Sequence, residues 1–146
     1  MSMLLRSALV LVAALSFQTY LFSEDNADKP KLEGQHAIVA MERNGTALNE
    51  ADFKGATIRF TDGKLVGANK DGTEFLTADW TIDSNKKPCA IVLKLTSGSN
   101  NGKELQGLIE RKDNTIRLVF ANPGGDRPTE FKTKENQVMY TLQAEK

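Results

Sequence analysis

The chain has 146 residues with one cysteine and one histidine, and its 19 lysines and arginines balance 19 aspartates and glutamates. This length favours one domain that is large enough to bury a hydrophobic core of its own. The balanced charge gives no electrostatic reason to expect nucleic acid or an anionic membrane surface as a partner.

Residues 1–23 have the pattern of a secretory signal peptide. A short positive stretch ends at Arg6, an apolar run covers Ser7–Leu15, and small residues offer cleavage after Ser16 or after Ser23. A retained transmembrane anchor is the alternative, but an anchor needs about 20 predominantly apolar residues and polar side chains interrupt this run. The sequence therefore predicts export to the periplasm or the extracellular space, with no membrane association beyond the signal peptide.

Residues 24–30 are polar and end in a proline, which indicates a flexible tether ahead of a single domain over residues 31–146. In an oxidising compartment the single Cys89 cannot form a disulfide within its own chain. One interpretation of Cys89 is a small buried apolar side chain, and the other is a thiol for intermolecular pairing. In either case the hydrophobic core must stabilise the fold without an internal disulfide.

Beyond the tether, apolar side chains alternate with a period of two, which is typical of β-strands. Turn sequences such as Asn44-Gly45 and Asp62-Gly63 separate these runs. Residues 49–54 are an exception, because Asn49 can cap a helix whose first turn would be acidic, and a short helical turn is predicted there. The predicted strands are 34–43, 56–61, 64–69, 73–83, 90–96, 104–112, 115–121 and 137–144.

About eight regular strands, mostly joined by short links, predict an all-β antiparallel meander. Closure into an up-and-down barrel would remove the unpaired edges, and a two-sheet sandwich is the alternative. Alternate links fall at alternate ends, so the long links 44–55, 96–103 and 122–136 are expected at one end. Small-molecule sites in barrels lie at such a mouth, although long loops can also simply plug it.

The alternation also predicts which side chains face the core. In the first strand His36 and Ile38 share one side and Met41 lies on the other. In the fourth strand Phe75 is expected on the side opposite to Leu76 and Trp80. The side chains predicted to form one core are Leu76, Trp80, Leu93, Leu118, Phe120 and Leu142.

Four stretches carry a resemblance to known proteins: KLEGQH at 31–36, KKP at 86–88, LTSGSNNGKELQGLIE at 95–110 and DNTIRLVFANPGGDRPTEF at 113–131. Together they resemble a family of small exported domains that are abundant in planctomycetes, described as lipocalin-like and without an established biochemical function. The most specific parts are Gly-Lys at 102–103 and Arg-Pro-Thr-Glu-Phe at 127–131. The resemblance covers residues 31–146 and implies a lipocalin-like barrel and export, but no mechanism.

This chain departs from the family pattern at three places. The family's Gly-x-Trp near the first strand is Gly34-Gln35-His36 here, and the tryptophan of lipocalin-like proteins normally plugs the narrow end of the barrel. Ile109 replaces a usual aromatic residue, and Asn114 replaces a usual aspartate. Because His36 lies on a strand beside Ile38, we expect it in the core or at a rim rather than on a metal.

No catalytic constellation is present in the sequence, and neither a metal site nor a cofactor is predicted. An arginine–carboxylate pair in the loop at 126–130 could bind a polar ligand, or the arginine could instead hold its own loop. We predict the second role, with Arg127 partly buried and hydrogen-bonded and Phe131 against the barrel wall. An exposed Arg127 without a partner would favour the ligand role. The ligand-binding candidates at the expected mouth are Phe53, Lys103, Arg127, Glu130 and Phe131.

Three functions remain open on the sequence. The favoured one is an exported, non-enzymatic and monomeric module that binds a small apolar or amphipathic ligand in its barrel. The second is a cell-envelope module that binds another protein or has a structural role, with a barrel filled by side chains. The third is an enzyme such as a hydrolase, which would need an acid–base pair at the mouth that the sequence does not identify.

Overall fold

The computed structural model describes residues 30–145, and in this range the chain forms a closed antiparallel β-barrel. The predicted signal peptide and nearly all of the tether lie outside the described residues. The strands are β1 (Gly34–Arg43), β2 (Thr46–Ala47), β3 (Thr57–Thr61), β4 (Lys64–Ala68), β5 (Glu74–Asp83), β6 (Cys89–Leu95), β7 (Glu104–Lys112), β8 (Thr115–Ala121) and β9 (Gln137–Ala144).

Antiparallel pairing runs around the whole wall, and the pairing of β1 with β9 closes it. The two-residue β2 pairs only with the end of β1, so eight strands form the wall. The predicted all-β, eight-stranded up-and-down barrel is confirmed, and the two-sheet sandwich is not formed. The strand bounds differ from the predicted ones by at most one residue.

The predicted helical turn near residues 49–54 is a single 3-10 turn at Glu50–Asp52. Asn49 precedes the turn with an extended backbone, but its side chain makes no capping hydrogen bond. The amide of Phe53 donates to the carbonyl of Glu50, at 3.1 Å, and the Phe53 side chain is buried. This turn therefore sends an aromatic ring into the barrel from the link between β2 and β3.

One apolar cluster occupies the barrel interior. Leu93, Leu118 and Leu142 are completely buried, and Phe120 is nearly so. Leu76 and Trp80 pack against this cluster while remaining partly exposed. The predicted core is therefore confirmed, with its two least buried members on β5.

The end of the barrel that carries the tight turns is sealed by the segment ahead of β1. Leu32 is buried there, and its carbonyl accepts a hydrogen bond from His36 Nε2 at 2.7 Å. The imidazole meets the Phe60 ring edge-on, at 6.0 Å between ring centroids, and Arg111 Nη1 donates to the Lys31 carbonyl at 2.7 Å. His36 thus lies in the core at the closed end, which is one of the two positions predicted for it, the core or a rim.

Candidate ligand-binding mouth

Two cavities share the end of the barrel opposite the sealed one. The first lobe has a volume of about 560 Å³ and lies against β5, β6, β7, β8 and β9. The second lobe has a volume of about 540 Å³ and lies beneath the link between β2 and β3. Arg43, Phe75 and Tyr140 line both lobes, so we treat the two lobes as one mouth. Each volume is within the range of about 300–1,000 Å³ that is usual for small-molecule pockets.

Apolar side chains from the strands and from the β2–β3 link form the floor of both lobes. In the first lobe they are Leu76, Leu95, Leu105, Phe120 and Val138. In the second lobe they are Ile38, Met41, Leu48, Phe53 and Ala56. Because several of these belong to the buried core cluster, the floor of the mouth is continuous with the core.

Polar groups lie towards the rim of the mouth. In the first lobe the hydroxyls of Thr77 and Ser97 are hydrogen-bonded to each other. Glu74 also lines the first lobe, and Asp52 lines the second. Both carboxylates belong to exposed residues, and neither forms an ion pair with a described residue. The mouth therefore combines an apolar floor with an exposed, mixed-charge rim.

Arg43 reaches the mouth because β1 contains a β-bulge. Ile38 pairs with Leu142 and Ala40 pairs with Thr141, which leaves Val39 unpaired and 46% exposed. One extra residue changes which side chains face inwards, so Ile38 is buried before the bulge and Met41 is buried after it. Arg43 follows Met41 by two residues, and this exposed residue lines the mouth. Its guanidinium makes no hydrogen bond or ion pair with another described residue.

A second bulge, in β5, turns Phe75 into the mouth. Gly67 pairs with Leu76 and Ala68 pairs with Glu74, so Phe75 has no partner across the sheet. Its ring lies over Gly67, where a Cβ atom would be 2.8 Å from Phe75 Cε1. The prediction that Phe75 faces away from Leu76 is therefore wrong, because the bulge interrupts the period of two. The ring remains 39% exposed.

Tyr140 stands between the two lobes, under the Phe75 ring. Their ring centroids are 6.2 Å apart, and the centroid of Phe120 is 5.9 Å away on the other side. Burial raises the pKa of Tyr140 to about 12, although the positive charge of Arg43 acts in the opposite direction. The hydroxyl makes no hydrogen bond with another described residue. At neutral pH it is therefore a protonated donor beside a guanidinium.

The five ligand-binding candidates from the sequence lie in different places. Phe53 lines the second lobe, whereas Lys103 is exposed and lines neither lobe. Arg127 and Glu130 line a separate cleft of about 200 Å³. Phe131 lies on the outer wall, where the Arg117 guanidinium is 4.6 Å from its ring centroid. Only Phe53 is therefore brought to the mouth.

The prediction that Arg127 holds its own loop is wrong, because this side chain is exposed and has no partner among the described residues. Other residues hold the loop. The Glu42 carboxylate accepts hydrogen bonds from the amide and the hydroxyl of Thr133, at 2.7 and 2.6 Å. Gln137 Nε2 donates to the Asp126 carbonyl at 2.8 Å. The expected packing of Phe131 against the barrel wall is confirmed by its contact with Arg117.

Sequence reasoning missed Arg43, Phe75 and Tyr140 as mouth residues. Tyr140 lies on the predicted inner face of β9, so the alternation of apolar residues could have predicted its position near the mouth. The other two depend on bulges. The one available signal is the change of apolar side from Ile38 to Met41, which indicates an extra residue between them.

Comparison of the chain with protein-family models, with curated proteins and with solved structures gave no match. Within residues 30–145, no helix has both the length and the apolar character that are needed to cross a membrane. In the same range, no three His, Cys, Asp or Glu side chains are grouped so that they could hold a metal ion. The resemblance to planctomycete lipocalin-like domains therefore stays a prediction.

Proposed function

We propose that this protein is an exported, non-enzymatic binding module that holds a small apolar or amphipathic ligand in the mouth of its barrel. The observation that supports the proposal most is the two-lobed mouth, which combines an open entrance with an apolar floor. The export part rests on the pattern of residues 1–23, which lie outside the described residues.

Phe75 gives the proposal an energetic basis. It is one of two large apolar side chains that are exposed in the described part of the chain, and the other, Val39, lies at a bulge. Removing apolar surface from water contributes about 25 cal/mol per Å², so a ligand that covers the Phe75 ring gains from that ring as well as from its own surface. An exposed aromatic ring at the entrance of a cavity with an apolar floor is suited to contact with an apolar ligand.

A cell-envelope module that binds another protein is the second candidate. One observation favours it: Arg127 has no partner and stands beside Glu130 in a cleft outside the mouth. A free guanidinium on a loop can pair with a carboxylate of another protein. The closed half of the barrel, where Ile109 and Ile116 are completely buried, also fits a barrel filled by side chains.

Two measurements test the binding function. Native mass spectrometry of the protein purified from its own exported fraction should show a bound small molecule. In addition, the neutral fluorescent probe N-phenyl-1-naphthylamine should bind the wild-type protein and bind Phe75→Ala more weakly. Phe131→Ala is the matched control, because this ring lies outside the mouth, and it should leave probe binding unchanged. Failure of the wild-type protein to bind the probe would contradict the proposal.

A further inference from the structure

We propose that the mouth takes an amphipathic monocarboxylate, with Arg43 binding the carboxylate and the acyl chain occupying the apolar floor. This inference rests on the proposed binding function and narrows its ligand class. Its basis is an arginine that lines both lobes and has no partner of its own.

The position of Arg43 is set by the wall of the barrel and not by a loop. The residue is the last of β1 and pairs with Val138 of β9, which lines the first lobe. Its place at the entrance follows from the Val39 bulge, because Met41, two residues earlier on the same side of β1, is buried and lines the second lobe. A side chain placed by two paired strands loses less conformational freedom on binding than one on a mobile loop.

The chemistry of the guanidinium indicates what it would bind. It carries five N–H donors in a planar fork that fits the two oxygens of a carboxylate, and it remains charged at every physiological pH. Water solvates an exposed guanidinium, but a ligand that fills the mouth would displace that water. The local dielectric constant would then fall, which strengthens the ion pair between the guanidinium and the carboxylate. The apolar floor beneath Arg43 then favours a hydrocarbon body over a wholly polar anion.

Tyr140 supplies a second donor on the same side of the mouth. Tyr140 lines both lobes, as Arg43 does, and its partner across the sheet is Met41, two residues before Arg43 in β1. The hydroxyl stays protonated at neutral pH and makes no hydrogen bond with another described residue. A carboxylate held by Arg43 can therefore also accept a hydrogen bond from Tyr140.

The acidic residues at the rim limit the charge of the ligand head. Glu74 lines the first lobe and Asp52 lines the second, while Arg43 lines both. Because the two carboxylates repel any anion and Arg43 offers a single positive charge, a head with two negative charges, such as a phosphate monoester, is disfavoured more strongly than a head with one. For this reason we propose a monocarboxylate rather than a phosphate monoester such as a sugar phosphate.

Three competitors with the same hydrocarbon chain test the head group. Dodecanoate, dodecanol and dodecylamine, each below the concentration at which it aggregates, are titrated against protein that holds N-phenyl-1-naphthylamine. Dodecanoate should displace the probe about tenfold better than dodecanol, the ratio expected for one hydrogen bond to a charged group. In Arg43→Gln this preference should disappear while the neutral probe still binds. In Tyr140→Phe the preference for dodecanoate over dodecanol should decrease, but by less than in Arg43→Gln.

Arg127→Gln is the matched control, because it removes an equally unpaired arginine outside the mouth, and it should keep the full preference for dodecanoate. Equal displacement by dodecanoate and dodecanol would overturn the inference, and so would a preference that survives in Arg43→Gln. Stronger displacement by dodecylamine would also overturn it and would assign the mouth to a cationic ligand held by Asp52 and Glu74. Failure of the wild-type protein to bind the probe would instead contradict the proposed function itself.

Discussion

Gly67 leaves the space in which the Phe75 ring lies against the sheet inside the mouth. A Cβ atom at this position would be 2.8 Å from Phe75 Cε1 and Cζ and 3.0 Å from Ile58 Cδ1. Real Cβ atoms essentially never approach other atoms as closely as 2.8 Å. At the scale of single residues, the shape of the entrance therefore depends on Gly67, which has no side chain, and on the Phe75 ring that occupies the space above it.

Gly67→Ala should lower the free energy of unfolding by about 1–3 kcal/mol, because an added methyl group overpacks this site. In the background of Phe75→Ala the same substitution should cost much less, since the ring that causes most of the clash is gone. Chemical denaturation of the four proteins in this double-mutant cycle measures the difference. Additive effects of the two substitutions would show that the ring does not occupy the space above Gly67.

Tyr140 should make stability depend on alkaline pH. Its pKa rises from the ordinary value of 10 to about 12 on folding, mainly because of burial, so above pH 10 the unfolded chain loses a proton that the folded chain keeps. This group then leaves stability nearly unchanged below about pH 9, and it lowers stability by about 3 kcal/mol in total as the pH rises through 10 and past 12. Denaturation of wild-type protein and Tyr140→Phe at several pH values measures this loss. A loss of the same size in both proteins would assign it to other groups.

At the scale of elements, strand positions were predictable because turns depend on local chemistry. Asn44 and Asp113, in the turns that follow β1 and β7, both have positive φ, a conformation that asparagine and aspartate tolerate better than most residues. The bulges were not predictable in the same way. A bulge such as the one at Val39 is defined by how β1 pairs with β9, and the sequence of β1 alone does not contain that pairing. The only trace in β1 itself is that the apolar residues move from one side of the strand to the other.

The loop between β8 and β9 shows a related limit of sequence reasoning. Its distinctive arginine suggested an anchor, whereas the anchors are Thr133 and Gln137 together with Glu42, which is far away in the sequence. Thr133 also accepts a hydrogen bond from the amide of Gly45, at 2.8 Å. The β1–β2 turn and the β8–β9 loop meet at this buried hydroxyl, and their meeting follows from barrel closure, which no local pattern contains.

Thr133→Val should therefore lower the free energy of unfolding by about 1–3 kcal/mol, because it leaves the Gly45 amide and part of the Glu42 carboxylate without their partner. Arg127→Ala, in the same loop, should change stability by no more than about 0.5 kcal/mol, because it is exposed and unpaired. Thermal or chemical unfolding of the two variants compares them directly. The opposite order would restore Arg127 as the anchor of this loop.

At the scale of the whole molecule, the barrel divides into a filled half and an open half. Leu32, His36 and Phe60 close one end with buried side chains. At the other end the long links leave the two lobes, with Arg43 and Phe75 between them. A filled base beneath an open mouth with an apolar floor is the arrangement from which both the binding function and its preference for a carboxylate are inferred.

NMR of the isotopically labelled chain beginning at Glu24, titrated with N-phenyl-1-naphthylamine, tests most directly whether the mouth is the binding site. We expect the amide resonances of Leu76, Val138 and Tyr140 to shift, because these residues line the mouth. The resonances of Leu32 and Arg111 should stay in place, because they lie at the sealed end. Shifts confined to the cleft around Arg127, or no shifts at saturating probe, would contradict a binding site in the mouth.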